Sequence, residues 1–316
     1  MAYPLLTAVA ALLLLHGADA LAMARPAARR GAPARCTRSR VAMVAPAIRS
    51  VDICAADVQA LAVFYETCFG MERSKGAGCV EMGFPGDPMR LRLLESPGAD
   101  FRVGEGFDAV ALYLPDVRTA VDCVEVRGGQ VLTPPEECTV GPSKIPDEPI
   151  GTKHVTFEAL VSDPQGYRFR LIQRAEGARR VAKLVYRVTD LEKSQQFYSE
   201  LLGMSVLRWR SNLQSTPLDI SLTMQLGDPA VLNGATVLEA EGNVPGQPVL
   251  EFIYYFNMRK LDVGSAGAGR LTLAAAGASE LATRAPSANG KLVDAVAEGG
   301  ALVQDPDGFE VRLVAN

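Results

Sequence analysis

One strand–helix motif occurs twice in this chain, and this duplication constrains the fold more than any other feature. The two copies cover residues 51–73 and 185–207. In each copy an Asp, either Asp57 or Asp190, precedes a Phe-Tyr pair by seven positions and a Gly-Met pair by thirteen. Such an Asp is a typical helix N-cap, because its carboxylate accepts hydrogen bonds from the free N–H groups of the first turn. The Gly is a typical C-cap, so each copy predicts a strand followed by a helix.

A second motif repeats towards the end of each half of the chain. The sequences VSDPQGYRFRLIQR (161–174) and VQDPDGFEVRLVAN (303–316) each predict a tight turn followed by a strand with alternating faces. Their Asp residues, Asp163 and Asp305, are 142 positions apart, whereas the two capping Asp residues are 133 apart. A period of about 140 residues is much longer than a solenoid repeat and indicates a duplicated domain. We therefore predict an α+β fold with tandem domains at 46–176 and 177–316. Each domain is built from two βαβββ modules that form a half-open eight-stranded sheet.

The hydrophobic periodicity places the elements within this frame. Strands are predicted at 48–54, 79–83, 89–94, 109–114, 130–133, 154–161, 167–173, 182–188, 205–209, 249–255 and over the last residues of the chain. Helices are predicted at 57–69, 116–127, 190–202 and within 278–285. A Pro-rich loop at 134–151 and an irregular insertion between Asn212 and Gln247 interrupt the pattern.

The first 45 residues have the composition of a targeting sequence rather than of a folded domain. Residues 1–20 hold a short apolar run and a small-x-small cleavage pattern, which is typical of a signal peptide. Residues 21–45 are rich in Ala, Arg and Pro and lack acidic residues, as transit peptides do. This order resembles the bipartite presequence of proteins targeted to complex plastids and predicts a chloroplast location in the stroma. Secretion is the alternative, and no later stretch predicts a membrane span.

Charge and rare residues exclude several classes of site. The net charge is −4, and it becomes about −9 without residues 1–45, which argues against nucleic acid or an anionic membrane as a partner. The remaining Cys residues are odd in number and lack CxxC spacing, so we expect buried thiols in a reducing compartment rather than a disulfide framework or a zinc site. His154 is the only His beyond the presequence. One His is too few for a His-rich metal centre, and it leaves a single candidate for Ser-His-Asp catalysis.

With these elements placed, the chain resembles the vicinal-oxygen-chelate superfamily and, within it, the two-domain plastid glyoxalase I (lactoylglutathione lyase) type. The resemblance covers residues 47–316 and rests on V-x-D-L-x-x-S-x-x-F-Y-x-x-x-L-G-M at 188–204, its partial copy at 57–71, Leu-Glu-Phe at 250–252, and the two Asp-Pro-x-Gly-aromatic strands. It implies a divalent metal held by a His or Gln, a Glu, a His and a Glu from two different domains. In that family the metal chelates the methylglyoxal–glutathione hemithioacetal while a Glu moves the proton.

The resemblance also maps eight ligand positions onto this sequence. In the order first strand, mid-domain, second module and last strand, they are Ser50, Leu91, Ala109 and Arg170 in the first copy and Lys183, Glu251, Gly269 and Arg312 in the second. Cross-domain pairing joins Ser50 and Leu91 to Gly269 and Arg312 in one pocket, and joins Lys183 and Glu251 to Ala109 and Arg170 in the other. In the second pocket two cations face one carboxylate, which disfavours a divalent metal. An ion pair from Glu251 to Lys183 or Arg170 is the expected replacement, because a buried charge needs a partner.

Each candidate residue has a functional and a structural interpretation. Glu251 is either a catalytic base or one partner of a structural ion pair. Arg170 and Arg312 either bind an anionic ligand, to which their fork-shaped donors are suited, or are solvated strand residues. Arg187 matches a family position that helps to hold the glutathione carboxylate, and His154 is either a metal ligand or an exposed residue at a strand start.

Two function hypotheses follow from the resemblance. The first is a metal-free binding or scaffold pseudoenzyme in the plastid, without a cofactor, whose ligand is a small anion or a glutathione conjugate. The second is an active lactoylglutathione lyase, a carbon–sulfur lyase with a remodelled site, which would need Ni or Zn. An extradiol-type dioxygenase is disfavoured, because its two-His-one-carboxylate triad cannot form from one His. A homodimer is not required, since one chain supplies both halves of each pocket.

Overall fold

The structure is a computed structural model that describes residues 45–96, 98, 100–140, 143–144, 154–174, 179–211, 221–228, 248–256, 258, 260–296 and 300–316. All of them belong to one unit, Met43–Asn316. Residues 1–44 of the predicted presequence lie outside the described residues, and so does the predicted domain boundary at 176–177. Both remain predictions.

Over the described residues, the first half of the chain contains two helices and nine strands. They are β1 (Ala47–Ala55), α1 (Val58–Phe69), β2 (Glu72–Gly76), β3 (Cys79–Gly83), β4 (Arg90–Glu95), β5 (Phe107–Leu114), α2 (Val117–Val126), β6 (Gln130–Val140), β7 (Ser143–Lys144), β8 (His154–Ser162) and β9 (Arg168–Gln173).

The second half repeats this order over the described residues. Its elements are β10 (Arg180–Arg187), α3 (Leu191–Gln195) continued by a π-helical turn (Gln196–Leu201), β11 (Ser205–Ser211), β12 (Ser221–Gly227), β13 (Val249–Tyr255), β14 (Leu271–Ala274), α4 (Ala278–Arg284) followed by a 3₁₀ turn (Ala285–Ala288), β15 (Lys291–Val296), β16 (Gly300–Gln304) and β17 (Glu310–Val314).

These strands form two mixed sheets, and each sheet takes one module from each copy. Sheet 1 has eight strands in the order β15-β16-β17-β14-β1-β4-β3-β2. Sheet 2 has nine, in the order β6-β8-β9-β5-β10-β13-β12-β11-β7, where the two-residue β7 is the extra strand. The antiparallel pairs β1–β14 and β5–β10 join the two copies. The predicted α+β fold with tandem modules is confirmed. The prediction that the two modules of one domain form one sheet was wrong, because each sheet combines modules of both copies.

The repeated capping residues act as predicted. The Asp57 carboxylate accepts a hydrogen bond from the Ala60 N–H at 2.9 Å, and Asp190 accepts from the N–H groups of Glu192 and Lys193 at 3.1 Å. Gly70 ends α1 in the left-handed conformation at φ 71°, which a side chain would disfavour. The helix after Asp190 is shorter in its α-helical part than predicted, because it becomes a π-helical turn at Gln196.

The two Phe-Tyr pairs connect the two repeated motifs. Phe64, Tyr65, Phe197 and Tyr198 are all at most 4% exposed, which confirms that they are core residues. The Tyr65 hydroxyl donates to the buried Asp163 carboxylate at 2.6 Å, and the Tyr198 hydroxyl donates to Asp305 at 3.0 Å. In each copy the helix of the first module is therefore tied by a buried hydrogen bond to the Asp-Pro-x-Gly turn of the second module.

The strand prediction missed β14, β15 and β16 of the second copy. It was also wrong at three further places. The strand β2 was missed because its residues, ERSKG, are polar and largely exposed and show no apolar alternation. The strand β12 lies within the predicted insertion, of which residues 212–220 and 229–247 are outside the described part of the chain. The strand β6 runs through the Pro-rich stretch, where Pro134 and Pro135 lie at a register shift between Thr133 and Glu136 on an edge strand. Proline is tolerated at such a place because no ladder hydrogen bond is lost.

The expectation of unpaired thiols was wrong for two of the cysteines. Cys68 of α1 and Cys123 of α2 form a disulfide with a Cα–Cα distance of 5.2 Å. Cys54, Cys79 and Cys138 are free thiols. Sequence spacing gave no indication of the pair, because 55 positions separate its members and only the packing of the two helices brings them together.

Reduction of this disulfide should destabilise the protein. A closed loop of this length corresponds to about 4 kcal/mol of unfolded-state entropy at 25 °C in the chain-entropy model. We expect dithiothreitol to lower the free energy of unfolding of the wild type, measured by urea denaturation. The Cys68→Ala/Cys123→Ala double variant should be insensitive to dithiothreitol. A full count of free thiols in the unreduced protein would contradict the assignment.

The buried Asp305 should make stability depend on pH. Burial raises the pKa of Asp305 to about 7 and that of Asp163 to about 6, although their hydrogen bonds lower both. Because the folded pKa exceeds the unfolded value of about 3.9, the folded state binds the extra proton. This contribution to stability is present below about pH 4, and it is lost as pH rises to 7 at roughly 1.4 kcal/mol per unit.

The Asp305→Asn variant tests this dependence, because an amide retains acceptors for the backbone N–H groups but does not titrate. The free energy of unfolding of the wild type, relative to Asp305→Asn, should fall between about pH 4 and pH 7 and then level off. For Asp163→Asn the same comparison should level off about one pH unit earlier. If the free energy of unfolding changed with pH in the same way in wild type and variants, protonation of these carboxyls would not be linked to stability.

Candidate functional site

The inner face of sheet 2 holds the only carboxylate that occupies a family ligand position, Glu251. Alternation along β13 directs Leu250 and Phe252 into the core against the helices, so Glu251 lies on the opposite face. The strand pairings place Glu251 between Val185 of β10 and Gln225 of β12. Lys183 lies two residues before Val185 on the same face. Strand pairing therefore explains why Lys183 and Glu251, 68 positions apart, meet.

Glu251 is buried within a cluster of hydrogen-bond donors. Its Oε2 atom accepts from Lys183 Nζ at 3.2 Å and from Arg210 Nη2 at 3.2 Å. The Gln225 side-chain amide also donates to Oε2, and Arg208 in turn donates to the Gln225 carbonyl at 2.6 Å. Exposure is 1% for Glu251 and 4% for Lys183. This is a fully buried ion pair with a supporting layer of polar side chains.

The surrounding charges keep this carboxylate ionised. Burial raises the pKa of Glu251, but Lys183, Arg210, Arg170 and the Gln225 amide outweigh it and hold the pKa well below its usual value. Burial lowers the pKa of Lys183, and the nearby Arg210 and Arg208 lower it further, while Glu251 opposes them. A carboxylate whose pKa is held so far below 7 is a poor proton acceptor at pH 7, since a general base works best with a pKa near the operating pH.

The other predicted residues of this face lie around the pair and have their own partners. Arg170 does not contact Glu251 directly, and its nearest carboxylate is Glu158, at 3.9 Å. Burial lowers the pKa of Arg170, but Glu158, Glu251 and Asp108 outweigh it and raise the pKa. Arg187 donates to Asp108 at 2.7 and 2.8 Å, and its guanidinium lies 5.5 Å from the centre of the Tyr255 ring.

On the inner face of sheet 1 the structure corrects two of the mapped positions. In sheet 2 Lys183 pairs with Val249, two residues before Glu251, and in sheet 1 the equivalent Ser50 pairs with Arg90. The residue equivalent to Glu251 is therefore Arg92, and Leu91 was wrong because its side chain points into the core on the opposite face.

The same comparison corrects the second-module position. Lys183 pairs with Ala111, and Ser50 pairs with Thr272. Two residues earlier on each partner strand are Ala109 and Arg270. Gly269 was therefore off by one, and it lies in the turn before β14 with φ 65°.

Sheet 1 consequently carries its own buried carboxylate, Asp52, which the sequence analysis missed. Asp52 is fully buried and contacts Arg92 at 2.9 Å, Arg270 at 3.6 Å and Arg312 at 4.0 Å. Burial raises the pKa of Asp52, and the three arginines lower it only in part. The available indication was the alternation of β1, which places Asp52 on one face with Ser50 and Cys54.

The residues at these positions do not fit a divalent metal. On sheet 2 the one carboxylate is held by a lysine, an arginine and an amide, and on sheet 1 three arginines occupy mapped ligand positions. Hard divalent ions need several oxygen ligands, or the nitrogen of a neutral His. Among the described residues no three His, Cys, Asp or Glu side chains come together as a metal group. His154 begins β8, and its side chain is outside the described part.

Known proteins share this fold and part of this sequence. Residues 180–313 match the Glyoxalase/Bleomycin resistance protein/Dioxygenase superfamily. The crystal structure of glyoxalase I from Zea mays superimposes with a TM-score of 0.64 over 85% of this chain and 92% of that chain, at 24% identity. Residues 180–313 therefore belong to that superfamily, and the chain has the fold of glyoxalase I.

Curated relatives of the glyoxalase I-like chain carry the name of one enzyme. "Probable lactoylglutathione lyase, chloroplastic" of Arabidopsis thaliana is 26% identical over 213 residues, 64% of this chain and 52% of that protein. "Lactoylglutathione lyase" of Oryza sativa subsp. japonica is 32% identical over 155 residues, 46% of this chain and 49% of that protein. The chain thus spans about half the length of these relatives. None of the helices in the described residues has the length and apolar character needed to cross a membrane.

The Lys183–Glu251 pair should be strongly coupled. Lys183→Met and Glu251→Met each leave a buried charge with fewer partners and should each cost about 3 kcal/mol of stability, whereas the double variant should recover a large part. The coupling energy from urea denaturation should be about 2 kcal/mol. The exposed pair Arg73–Glu66, at 3.0 Å, is the matched control and should give less than about 1 kcal/mol. Additive effects at 183 and 251 would disprove the buried pair.

Proposed function

We propose that this glyoxalase I-like chain is a metal-independent binding protein, a pseudoenzyme in which an internal ion pair replaces the catalytic metal. The observation that carries the proposal is the environment of Glu251. Its Oε2 atom accepts three hydrogen bonds from Lys183, Arg210 and Gln225 at the same time. A metal entering there would have to displace a buried lysine and arginine, and breaking a buried pair is costly.

The proposed ligand is a small anion or a glutathione conjugate. The described residues on the inner face of sheet 2 include six cationic side chains, Arg168, Arg170, Lys183, Arg187, Arg208 and Arg210, and four acidic ones, Asp108, Glu136, Glu158 and Glu251. This excess of positive charge lies on an acidic protein of net charge −4 and would attract an anion. Arg187 is a suitable carboxylate-binding group, because its side chain is 22% exposed and a guanidinium has further N–H donors beside the two that contact Asp108.

We also propose that the protein acts in the plastid. The composition of residues 1–45 supports this, as does the word "chloroplastic" in the name of the Arabidopsis thaliana relative. Imaging of a fluorescent protein fused behind residues 1–45 tests the proposal, and secretion of the fusion would overturn it.

The alternative is an active lactoylglutathione lyase, and the names of the relatives favour it. A proton-transfer role for Glu251 would then require a rearrangement that releases it from Lys183, because its pKa is held well below neutrality in this arrangement.

Metal content and turnover separate the two functions. The full chain should be incubated with Ni²⁺, Zn²⁺, Mn²⁺ or Fe²⁺, desalted, and assayed for bound metal and for isomerisation of the methylglyoxal–glutathione hemithioacetal. We expect substoichiometric metal and no turnover above the uncatalysed rate. Stoichiometric metal with turnover that Glu251→Gln abolishes and Glu158→Gln retains would establish the lyase instead.

Isothermal titration calorimetry with S-methylglutathione then tests the ligand class. Arg187→Gln should weaken binding by about tenfold, since it removes charge-assisted hydrogen bonds. Arg102→Gln is the control, because Arg102 is an exposed arginine that pairs with Asp262 at 2.7 Å. Equal loss in both variants, or no binding by the wild type, would reject the conjugate as ligand.

A further inference from the structure

On the inner face of sheet 1, not every arginine has a carboxylate at hydrogen-bonding distance. Arg92 donates to Asp52 at 2.9 Å. Arg270 donates to Glu310 at 2.7 Å. Arg312 is left with Asp52 at 4.0 Å as its nearest carboxylate among the described residues, and it makes no hydrogen bond with them. Its fork of five N–H donors is therefore available on this face.

Arg312 also stands in an unusual electrostatic environment. Burial lowers its pKa, Asp52 raises it, and Arg92 and Arg270 lower it further. The side chain is 23% exposed, so an ion from solvent can reach it. Arg92 and Arg270 both donate to a carboxylate at hydrogen-bonding distance, whereas Arg312 does not, so its guanidinium can bind a further anionic group.

Two buried hydroxyl groups lie beside Arg312 in the same row of the sheet. Thr272 of β14 pairs with Arg312 of β17 on one side and with Ser50 of β1 on the other. Neighbouring strands are about 4.8 Å apart, so the three side chains stand next to one another. Thr272 is 7% exposed and Ser50 is 5% exposed.

The Thr272 hydroxyl is the decisive feature of this row. Its Oγ1 atom is buried and has no hydrogen-bond partner among the described residues. A buried hydroxyl without a partner costs about 1–3 kcal/mol, so natural structures rarely keep one without a reason. A bound acceptor next to Arg312 would supply the missing partner.

We propose that the inner face of sheet 1 binds a small oxyanion, a phosphate or a carboxylate group, through the guanidinium of Arg312 and the hydroxyls of Thr272 and Ser50. Arg92, which contacts Asp52, and Arg270, which contacts Asp52 and Glu310, lie on the same face. No residue of this site belongs to the Lys183–Glu251 face, so the site is independent of the proposed function.

Isothermal titration calorimetry of the full chain with sodium phosphate tests the proposal. Ionic strength is held constant with NaCl, and a parallel titration uses sodium acetate, which separates a phosphate from a carboxylate preference. We expect saturable anion binding, of which one site per chain requires Arg312. Absence of saturable binding by either anion would overturn the proposal.

The variants then locate the site. Arg312→Gln should weaken binding by about tenfold or more, because a charge-assisted donor is lost. The exposed Arg102→Gln should stay within about twofold of the wild type. Binding that survives Arg312→Gln unchanged would place the anion elsewhere and refute the site.

A second, conservative variant keeps the proposal testable if Arg312→Gln fails to fold. Thr272→Val keeps the side-chain volume and removes only the hydroxyl. It should weaken anion binding by about threefold or more and leave the melting temperature in anion-free buffer unchanged or higher, because the hydroxyl has no partner there. A lower melting temperature with unchanged affinity would show that Thr272 is purely structural and would contradict the proposed row of donors.

Discussion

The antiparallel pairing of β5 with β10 is the contact on which both halves of sheet 2 depend. It places Ala109 beside Val185 and Ala111 beside Lys183, and thereby joins the last strands of one copy to the first strands of the other. The pairing of β1 with β14 does the same for sheet 1. Neither copy forms a complete inner face alone. The small side chains at 109 and 111 leave space on that face for the long side chains of Lys183 and Arg170.

The two inner faces satisfy one electrostatic requirement with different residues. Sheet 1 has its buried acid on the first strand, at Asp52, whose equivalent in sheet 2 is Val185. Sheet 2 has its buried acid at Glu251, whose equivalent in sheet 1 is Arg92. In both faces a fully buried carboxylate is surrounded by cations from neighbouring strands. What the copies share is a buried carboxylate paired with neighbouring cations, because an unpaired buried charge is too costly.

The sequence predicted most of the fold and about half of the candidate site, for identifiable reasons. Period-2 alternation and capping Asp residues are local, so strands such as β13 and helices such as α1 were found at nearly their observed bounds. The Lys183–Glu251 contact followed from the family pattern and cross-domain pairing. Asp52, Arg92 and Arg210 were missed because their roles depend on register, and a shift of one residue moves a side chain to the other face. The Cys68–Cys123 pair depends on helix packing, which no local pattern encodes.

The Cys68–Cys123 disulfide strengthens one of the two junctions between the helical layers and leaves the other without a covalent bond. Helix α1 follows β1 of sheet 1 and α2 follows β5 of sheet 2, so the Cys68–Cys123 bond is a covalent link between the layers that cover the two sheets. The corresponding junction in the second copy is held by non-covalent contacts, including the hydrogen bond from Asn289 to Gln196 at 2.9 Å. Under thermal or mechanical load we expect the helical layers to separate first at this second junction, while the disulfide keeps the first junction closed. Reduction of the disulfide would allow both junctions to separate.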